Sequence, residues 1–285
     1  MNKMIFYRFY RSFFPIVAFL FAAIFRPVGA VAADWEVVDS TLVIKSGIKS
    51  IPSKEFADRS DFNNVRFMLP ATLVEIGEYA FMGCSNLESI ELPSTLKKVG
   101  DGAFRECSSL RVAVLNESVR KLPVELFAWC ENLQKVSLPQ CLKSISSRAF
   151  AYCRNLENIT IPPAVTHIGA NAFSFCKSLK SIDLSVHITE LESYAFSECV
   201  ALERVVLPGN GKMLGELIFS GCRNLREITV PSMIPPYFDC NSTLFEDNES
   251  HMYSTCRLVV PAAALTRYKS KFPWNLFADI IPYVR

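Results

Sequence analysis

The sequence lacks the short motifs on which most enzyme and metal sites depend. It contains no G-x-S-x-G nucleophile elbow, no H-E-x-x-H zinc motif, no Asp-rich calcium loop and no G-x-x-x-x-G-K-[ST] phosphate loop. Its 10 cysteines include no C-x-x-C pair, which argues against a structural zinc site. The three histidines are His167, His187 and His251, and none stands in a recognisable relation to a Ser, Cys or Asp partner. These absences predict a protein that is not an enzyme and that uses no metal and no cofactor.

The chain also lacks an excess of charge of one sign. Lys and Arg number 30 and Asp and Glu number 28, which gives a formal net charge of +2. A balance of this kind provides no general attraction to nucleic acid or to acidic lipid. Nucleic acid is therefore not an expected partner.

Long hydrophobic runs are missing after the first 33 residues. The early apolar run covers only residues 13–25 and stops at Arg26, whereas a membrane span needs about 20 apolar residues. Basic residues precede the run, and the small residues 30–32 offer a cleavage site. Residues 1–33 are therefore predicted to be a secretory signal peptide that is removed. No cysteine follows the run at the cleavage region, so a lipoprotein anchor is not predicted.

A period of 23 residues is the strongest signal in the chain. Three apolar columns repeat at this spacing with no insertion, and a fixed period of this length is typical of a solenoid. The Phe column is Phe81, Phe104, Phe127, Phe150, Phe173, Phe196 and Phe219. The Cys column is Cys84, Cys107, Cys130, Cys153, Cys176, Cys199 and Cys222. The Leu column is Leu87, Leu110, Leu133, Leu156, Leu179, Leu202 and Leu225.

The spacing of apolar residues changes within one unit. Phe81, Cys84 and Leu87 are spaced like one face of a helical turn, and Leu87, Ile90 and Leu92 then alternate like a strand. Each unit is therefore predicted to contain a short strand and a short helical or irregular return. Stacked units place their strands side by side in a parallel sheet, roughly 4.8 Å apart.

The repeated pattern AFxxCxxLxxIxLPxxLxxIGxxAF resembles the BspA-like, or Treponema-type, leucine-rich repeat of bacterial surface proteins. The resemblance is close over residues 70–231 and looser over residues 42–285. Residues 256–277, with the sequence CRLVVPAAALTRYKSKFPWNLF, resemble the capping segment of such proteins. The resemblance implies an α/β-type leucine-rich repeat solenoid. Its predicted parts are a signal peptide (1–33), an N-terminal cap with a degenerate repeat (34–69), the repeat array (70–231) and a C-terminal cap (232–285).

The cysteine column is predicted to fill the core. A free cysteine packs as a small hydrophobic residue, and side chains that point in parallel from neighbouring units do not form disulfides. Cys141 falls instead on a turn, in the column of Thr95 and Ser118. Cys240 and Cys256 flank a polar loop, where they either form a disulfide in an oxidising compartment or remain two unpaired thiols.

Charges of opposite sign often occupy neighbouring units in the column that follows the repeating Leu. Unlike charges on neighbouring strands are mildly stabilising, so this column is interpreted as a solvated ladder and not as a ligand site. Its members are Glu88, Arg111, Gln134, Glu157, Lys180, Glu203 and Arg226.

The outward positions of the predicted strands vary from unit to unit while the core columns do not. Solenoids commonly bind partners through such extended surfaces. The candidate ligand-binding residues are Lys135, Asn158, Thr160, Ser181, Asp183 and Arg204. The row lacks an aromatic cluster of the kind that forms binding hot spots.

These observations favour an exported, non-catalytic protein that binds another protein. The family resemblance implies adhesion or interaction with a host extracellular protein, at the cell surface or after secretion. The alternative is a structural or assembly protein of the cell envelope in the periplasm. An enzyme or carbohydrate-active accessory is the third and most distant interpretation.

Overall fold

The computed structural model describes residues 34–38, 41–59, 66–184, 188–209, 213–237, 243–245 and 251–283. The predicted signal peptide, His187 and Cys240 lie outside these described residues. Residues 35–285 cluster as one compact unit. In the described part of the chain, no helix is both long enough and apolar enough to cross a membrane.

Most of the regular structure is short strands. In chain order they are β1 (Trp35–Val38), β2 (Thr41–Ile44), β3 (Ser50–Ile51), β4 (Arg66–Met68), β5 (Glu75–Ile76), β6 (Ser89–Glu91), β7 (Lys98–Val99), β8 (Val112–Val114), β9 (Lys121–Leu122), β10 (Lys135–Ser137), β11 (Ser144–Ile145), β12 (His167–Ile168), β13 (Ser181–Asp183), β14 (Glu190–Leu191), β15 (Arg204–Val206), β16 (Met213–Leu214), β17 (Glu227–Thr229), β18 (Arg257–Pro261) and β19 (Asp279–Tyr283).

These strands form two ladders that run along the solenoid. The long-strand ladder contains the sheets β1–β2–β4, β6–β8–β10 and β13–β15–β17–β18–β19. The short-strand ladder contains the sheets β3–β5–β7 and β9–β11–β12–β14–β16. Pairing is parallel throughout both ladders except between β1 and β2. Within the regular repeats, paired residues are 23 apart, as Ser181 and Arg204 are, so the predicted parallel solenoid is confirmed.

The segment around each repeating Phe is a series of turns and not a helix. The N–H of Cys84 donates to the carbonyl of Phe81 at 3.2 Å, which is a turn within the repeat. The N–H of Phe81 donates instead to the carbonyl of Ala103 in the next repeat, at 2.8 Å. Because these amides bond between repeats, they are not available for helical bonds, and the return is the irregular one of the two predicted forms.

Two backbone positions in each turn segment are left-handed. In one repeat they are Arg148 (φ 55°) and Tyr152 (φ 62°), on either side of Phe150. The equivalent residues of other repeats include Glu125 and Trp129, Asn171 and Phe175, and Tyr194 and Glu198. A left-handed residue other than Gly, Asn or Asp is uncommon, so the stacking of repeats dictates these turns.

The Phe and Cys columns form the centre of the core, as predicted. The Phe rings from Phe56 to Phe219 are at most 1% exposed and stack with ring centroids 5.1–6.1 Å apart. Each thiol of the Cys column donates a hydrogen bond to the carbonyl of the Phe in the preceding repeat, at 3.0–3.3 Å. The column therefore links successive repeats as well as filling space.

The C-terminal segment covers the last repeat with different elements. These are helix α1 (Met252–Thr255), helix α2 (Leu265–Ser270) and two 3₁₀ turns, Ala262–Ala264 and Trp274–Leu276. Tyr268 and Trp274 are fully buried. The Tyr268 hydroxyl donates to the carbonyl of Ser232 at 3.0 Å, and the Trp274 indole N–H donates to the carbonyl of Pro236 at 3.0 Å. Both aromatic residues thus anchor the segment to the end of the array.

Candidate binding surface on the long-strand ladder

The predicted ligand-binding residues all lie on the long-strand ladder or in its central break. Strand residues alternate between the two faces of a sheet, and the middle residue of a long strand, such as Ile182 or Val205, points into the core. The flanking residues are turned outward. Lys135, Asn158, Thr160, Asp183 and Arg204 are exposed, and Ser181 is half-buried.

The structure brings only part of this set into register. Ser181 on β13 pairs with Arg204 on β15, and Asp183 pairs with Val206. Lys135 lies on β10, at the other side of a gap in the ladder. Asn158 and Thr160 fall in that gap, because residues 158–160 form no strand. Asn is disfavoured in strands, which agrees with the interruption at this repeat.

Outward side chains differ in character along the ladder. Met68, Val112 and Val114 are exposed apolar side chains in the N-terminal half, and Met68 is 63% exposed. The row that contains Arg204 is instead charged near the C-terminal end, where Arg204 pairs with Glu227 and Glu227 pairs with Arg257. Arg257 in turn pairs with Asp279, so signs alternate over four successive strands.

A groove of about 440 Å³ opens at this charged end. It is lined by Glu203, Arg204, Arg226, Glu227, Ser254, Thr255, Arg257 and Asp279. The guanidinium of Arg257 is 3.1 Å from the Asp279 carboxylate, and that of Arg204 is 3.8 Å from the Glu203 carboxylate. Arginine offers planar, two-pronged donors that suit carboxylates. The groove therefore suits a partner that carries both acidic and basic groups, such as a polypeptide.

The 23-residue period predicts only some of the residues that line this groove. Arg204, Glu203 and Arg226 belong to repeating columns, but the step from Glu227 to Arg257 is not one period. The contribution of β18 and β19 could therefore not be read from the repeat. A weaker signal was present in the resemblance of residues 256–277 to a capping segment, which places a strand after Cys256.

The thiols of the Cys column are not suited to nucleophilic chemistry. Burial raises the pKa of Cys107, Cys153 and Cys176 well above the ordinary value, and a protonated thiol is a poor nucleophile. Cys256 is buried too, and burial raises its pKa to about 12. The pairing of Cys240 with Cys256 stays a prediction because Cys240 lies outside the described residues. Cys141 is half-buried and donates to the carbonyl of Glu117 at 2.6 Å.

The short-strand ladder carries two further polar features that sequence reasoning missed. A second groove of about 440 Å³ contains Lys97, Lys98, Arg120 and Lys121, of which Lys98 forms an ion pair with Glu75 at 2.6 Å. The near-zero charge of the whole chain conceals this local concentration of basic groups. The second feature is His167, for which the sequence shows no recognisable Ser, Cys or Asp partner and which lies between two glutamates. The period contains that signal, because residue 190 is one repeat after residue 167.

A model of the "BspA type Leucine rich repeat region" matches six copies in this chain, over residues 39–140 and 120–250. A leucine-rich repeat protein from Bacteroides ovatus has a similar structure, with 27% identity and a TM-score of 0.62 over 78% of this chain and 58% of that chain. The matched part is thus less than two thirds of the B. ovatus protein.

Two other solved structures align over most of the chain. The leucine-rich repeat protein of T. pallidum is 27% identical, with a TM-score of 0.43, over 72% of this chain and 84% of that one. A leucine-rich cell surface protein of Faecalibacterium prausnitzii is 18% identical, with a TM-score of 0.43, over 92% and 96%. Among curated proteins, none matches the chain.

Proposed function

Because the chain belongs to the BspA type leucine-rich repeat family, we propose that it is an exported protein that binds another protein through its long-strand ladder. Repeat proteins of this family are non-catalytic scaffolds and are commonly bacterial surface proteins. The proposed role at the surface is adhesion, with a host extracellular protein as the partner. Residues 70–231 form the array in this proposal, between caps at residues 34–69 and 232–285.

The charged groove at the C-terminal end of the ladder is the observation that carries this proposal. Arg204, Glu227, Arg257 and Asp279 are held in register on four consecutive paired strands, so charges of alternating sign lie side by side along the groove. Arginine is also enriched among residues that dominate protein interfaces. Arg204 is the one predicted ligand-binding residue in the groove, and the exposed valines of β8 extend the surface towards the other end.

A binding assay with two sets of variants tests the surface. Host extracellular proteins are immobilised, and wild-type chain is compared with the double variant Arg204→Ala/Arg257→Ala. A loss of tenfold or more in affinity is expected for the double variant. The matched control is Arg120→Ala, which removes an exposed arginine immediately before β9 of the short-strand ladder and is expected to bind normally. Normal binding by the double variant, or loss in the control, would place the contact elsewhere.

Protease treatment of intact cells tests the location. The chain is then detected with an antibody, and a cytoplasmic protein serves as the control for cell integrity. Loss of the chain from intact cells is the expected result. Survival until the outer membrane is broken would exclude adhesion and support the alternative of a periplasmic envelope protein.

A further inference from the structure

Three side chains that can bind a metal ion meet on the short-strand ladder. His167 on β12 pairs in register with Glu190 on β14, and Glu192 follows two residues later. The imidazole Nδ1 is 3.0 Å from Oε2 of Glu190, and Nε2 is 3.3 Å from Oε1 of Glu192. One donor atom from each residue lies within 4.8 Å of the other two.

The charge at this cluster differs from that of the ordinary ion pair in the same ladder. Glu75 and Lys98 occupy the same column as His167 and Glu190, and there one carboxylate meets one ammonium at 2.6 Å. At His167 two carboxylates surround one imidazole. Among the described residues, neither Glu190 nor Glu192 forms an ion pair with a lysine or arginine. A divalent cation would balance the two carboxylates, which no lysine or arginine among the described residues does.

The orientation of Glu192 is fixed by the backbone. Its Oε2 accepts a hydrogen bond from the N–H of Ala170 at 2.7 Å, which leaves Oε1 turned towards His167. Outer hydrogen bonds of this kind orient the ligands of metal sites. The same column of the repeat contains Gly77, Gly100, Gly169 and Gly215. The carboxylate at residue 192 is therefore a particular feature of this repeat.

We propose that His167, Glu190 and Glu192 form a binding site for a divalent transition-metal ion, with Zn²⁺ as the ion that best fits. Imidazole favours Zn²⁺ over Mg²⁺ and Ca²⁺, which prefer oxygen ligands alone. One nitrogen and two oxygens at about 2.0–2.2 Å, with water as a fourth ligand, complete a tetrahedral site. Binding requires the Glu190 side chain to rotate, because its Oε2 faces Nδ1, whereas Oε1 of Glu192 faces Nε2.

Bound Zn²⁺ would tie β12 to β14, so binding is expected to stabilise the fold as well. A ligand that binds only the native state raises the free energy of unfolding by about 2.7 kcal/mol when its concentration is 100 times Kd.

The test uses purified protein without a histidine tag, in a Cys141→Ser background that removes a half-buried thiol. Titration calorimetry with ZnCl₂, MgCl₂ and CaCl₂ is combined with thermal unfolding in the presence and absence of Zn²⁺. Expected results are one Zn²⁺ per chain with an increase in Tm, and no binding of Mg²⁺ or Ca²⁺. The variant His167→Ala/Glu192→Gln is expected to lose both the heat and the increase in Tm.

Glu75→Gln is the matched control, because it removes a carboxylate from the same column at the ordinary ion pair. It is expected to bind Zn²⁺ like the parent. Circular dichroism of each variant without metal separates loss of the site from loss of the fold, and the milder variant Glu192→Gln alone is expected to weaken Zn²⁺ binding at least tenfold. No Zn²⁺ binding by the parent, or equal binding by His167→Ala/Glu192→Gln, would overturn the proposal.

Discussion

Two stacks of aromatic rings run through adjacent repeats, and they are built on different principles. The interior stack is the Phe column together with Phe56, and its rings are at most 1% exposed. The corner stack consists of Trp129, Tyr152 and Phe175, which are half-buried and have ring centroids 5.1 and 4.3 Å apart. The interior stack occurs in every repeat, whereas the corner stack occurs in three.

The corner stack lies on backbone that its residues do not prefer. Trp129, Tyr152 and Phe175 have φ values of 60–62°, a conformation that costs about 1–2 kcal/mol for an L-residue with a side chain. Gly83 and Gly221 occupy the same column in other repeats. Ring stacking, worth about 0.5–1.5 kcal/mol a pair, offsets part of this cost, and the guanidinium of Arg105 lies 4.4 Å from the Trp129 ring centroid.

The difference between the stacks shows at which positions of the repeat the residue type is constrained. In the interior, the buried side chain itself stabilises the fold, and the same residue type therefore recurs every 23 residues. At the corner, bonds between repeats determine the backbone, such as the 2.8 Å bond from the N–H of Tyr152 to the carbonyl of Ser174. The corner side chain accordingly varies among Gly, Glu and aromatic residues.

High pH is expected to disrupt the interior more than any single substitution. Burial raises the pKa of six thiols in the Cys column above their ordinary value near 9, and neighbouring thiols add to this for Cys84 and Cys153. Below pH 9 the thiols are protonated in both the native and the unfolded protein, so the stability that the buried neutral thiols contribute is fully present. Above pH 9 the unfolded thiols lose protons and the native ones do not. Each thiol then lowers the free energy of unfolding by about 1.4 kcal/mol per pH unit.

Urea denaturation between pH 8 and pH 10.5 measures this effect. The stability of the parent is expected to fall by several kcal/mol above pH 9. The variant Cys130→Ala/Cys176→Ala removes two of the titrating thiols and is expected to show a shallower decline, starting from a lower stability at pH 8. Parallel curves for parent and variant would mean that the column does not cause the alkaline loss.

Phe150→Ala is expected to have the largest effect among single substitutions. It removes a fully buried ring that stacks on Phe127 and Phe173 at 5.7 and 5.2 Å, and such truncations cost about 3–5 kcal/mol. Urea denaturation at pH 7.5 gives the change. Thr160→Ala, at an exposed position in the break of the long-strand ladder, is the control and is expected to change stability by less than about 0.5 kcal/mol. A variant Phe150→Ala that unfolds like the parent would contradict the stacked core.

The interior stack could be predicted from the sequence and the corner stack could not. The Phe and Cys columns carry a simple signal, because a buried position tolerates few residue types and repeats every 23 residues. The left-handed corners carry no such signal, since Trp, Tyr and Phe are residues that normally avoid this conformation. The two-residue strands, such as Lys98–Val99, are also too short to show an alternating pattern.

The candidate sites likewise include features that could be predicted from the period and features that could not. The outward positions of the long strands follow from the period, which placed Ser181 beside Arg204 as the structure has them. The groove that Arg204 shares with Arg257 depends on a strand outside the period. The cluster at His167 depends on a side chain, Glu192, in a column where four repeats have glycine. In both cases the departure from the repeat, and not the repeat itself, brings the polar groups together.

The smallest expected effect also tests the comparison of the two stacks most directly. The difference in stability between an alanine and a glycine variant is expected to have opposite signs in the corner and in the interior. In most structured positions glycine is less stable than alanine by about 0.5–1 kcal/mol. At Tyr152, both Tyr152→Ala and Tyr152→Gly remove the ring contacts to Trp129 and Phe175, but only glycine relieves the left-handed strain. Tyr152→Gly is therefore expected to be about 1 kcal/mol more stable than Tyr152→Ala in urea denaturation. At Phe150, whose backbone is not left-handed, the order is expected to reverse, with Phe150→Ala the more stable of the two. If alanine were the more stable residue at both positions, the turn would adapt to its side chain, and the bonds between repeats would not be what determines the corner.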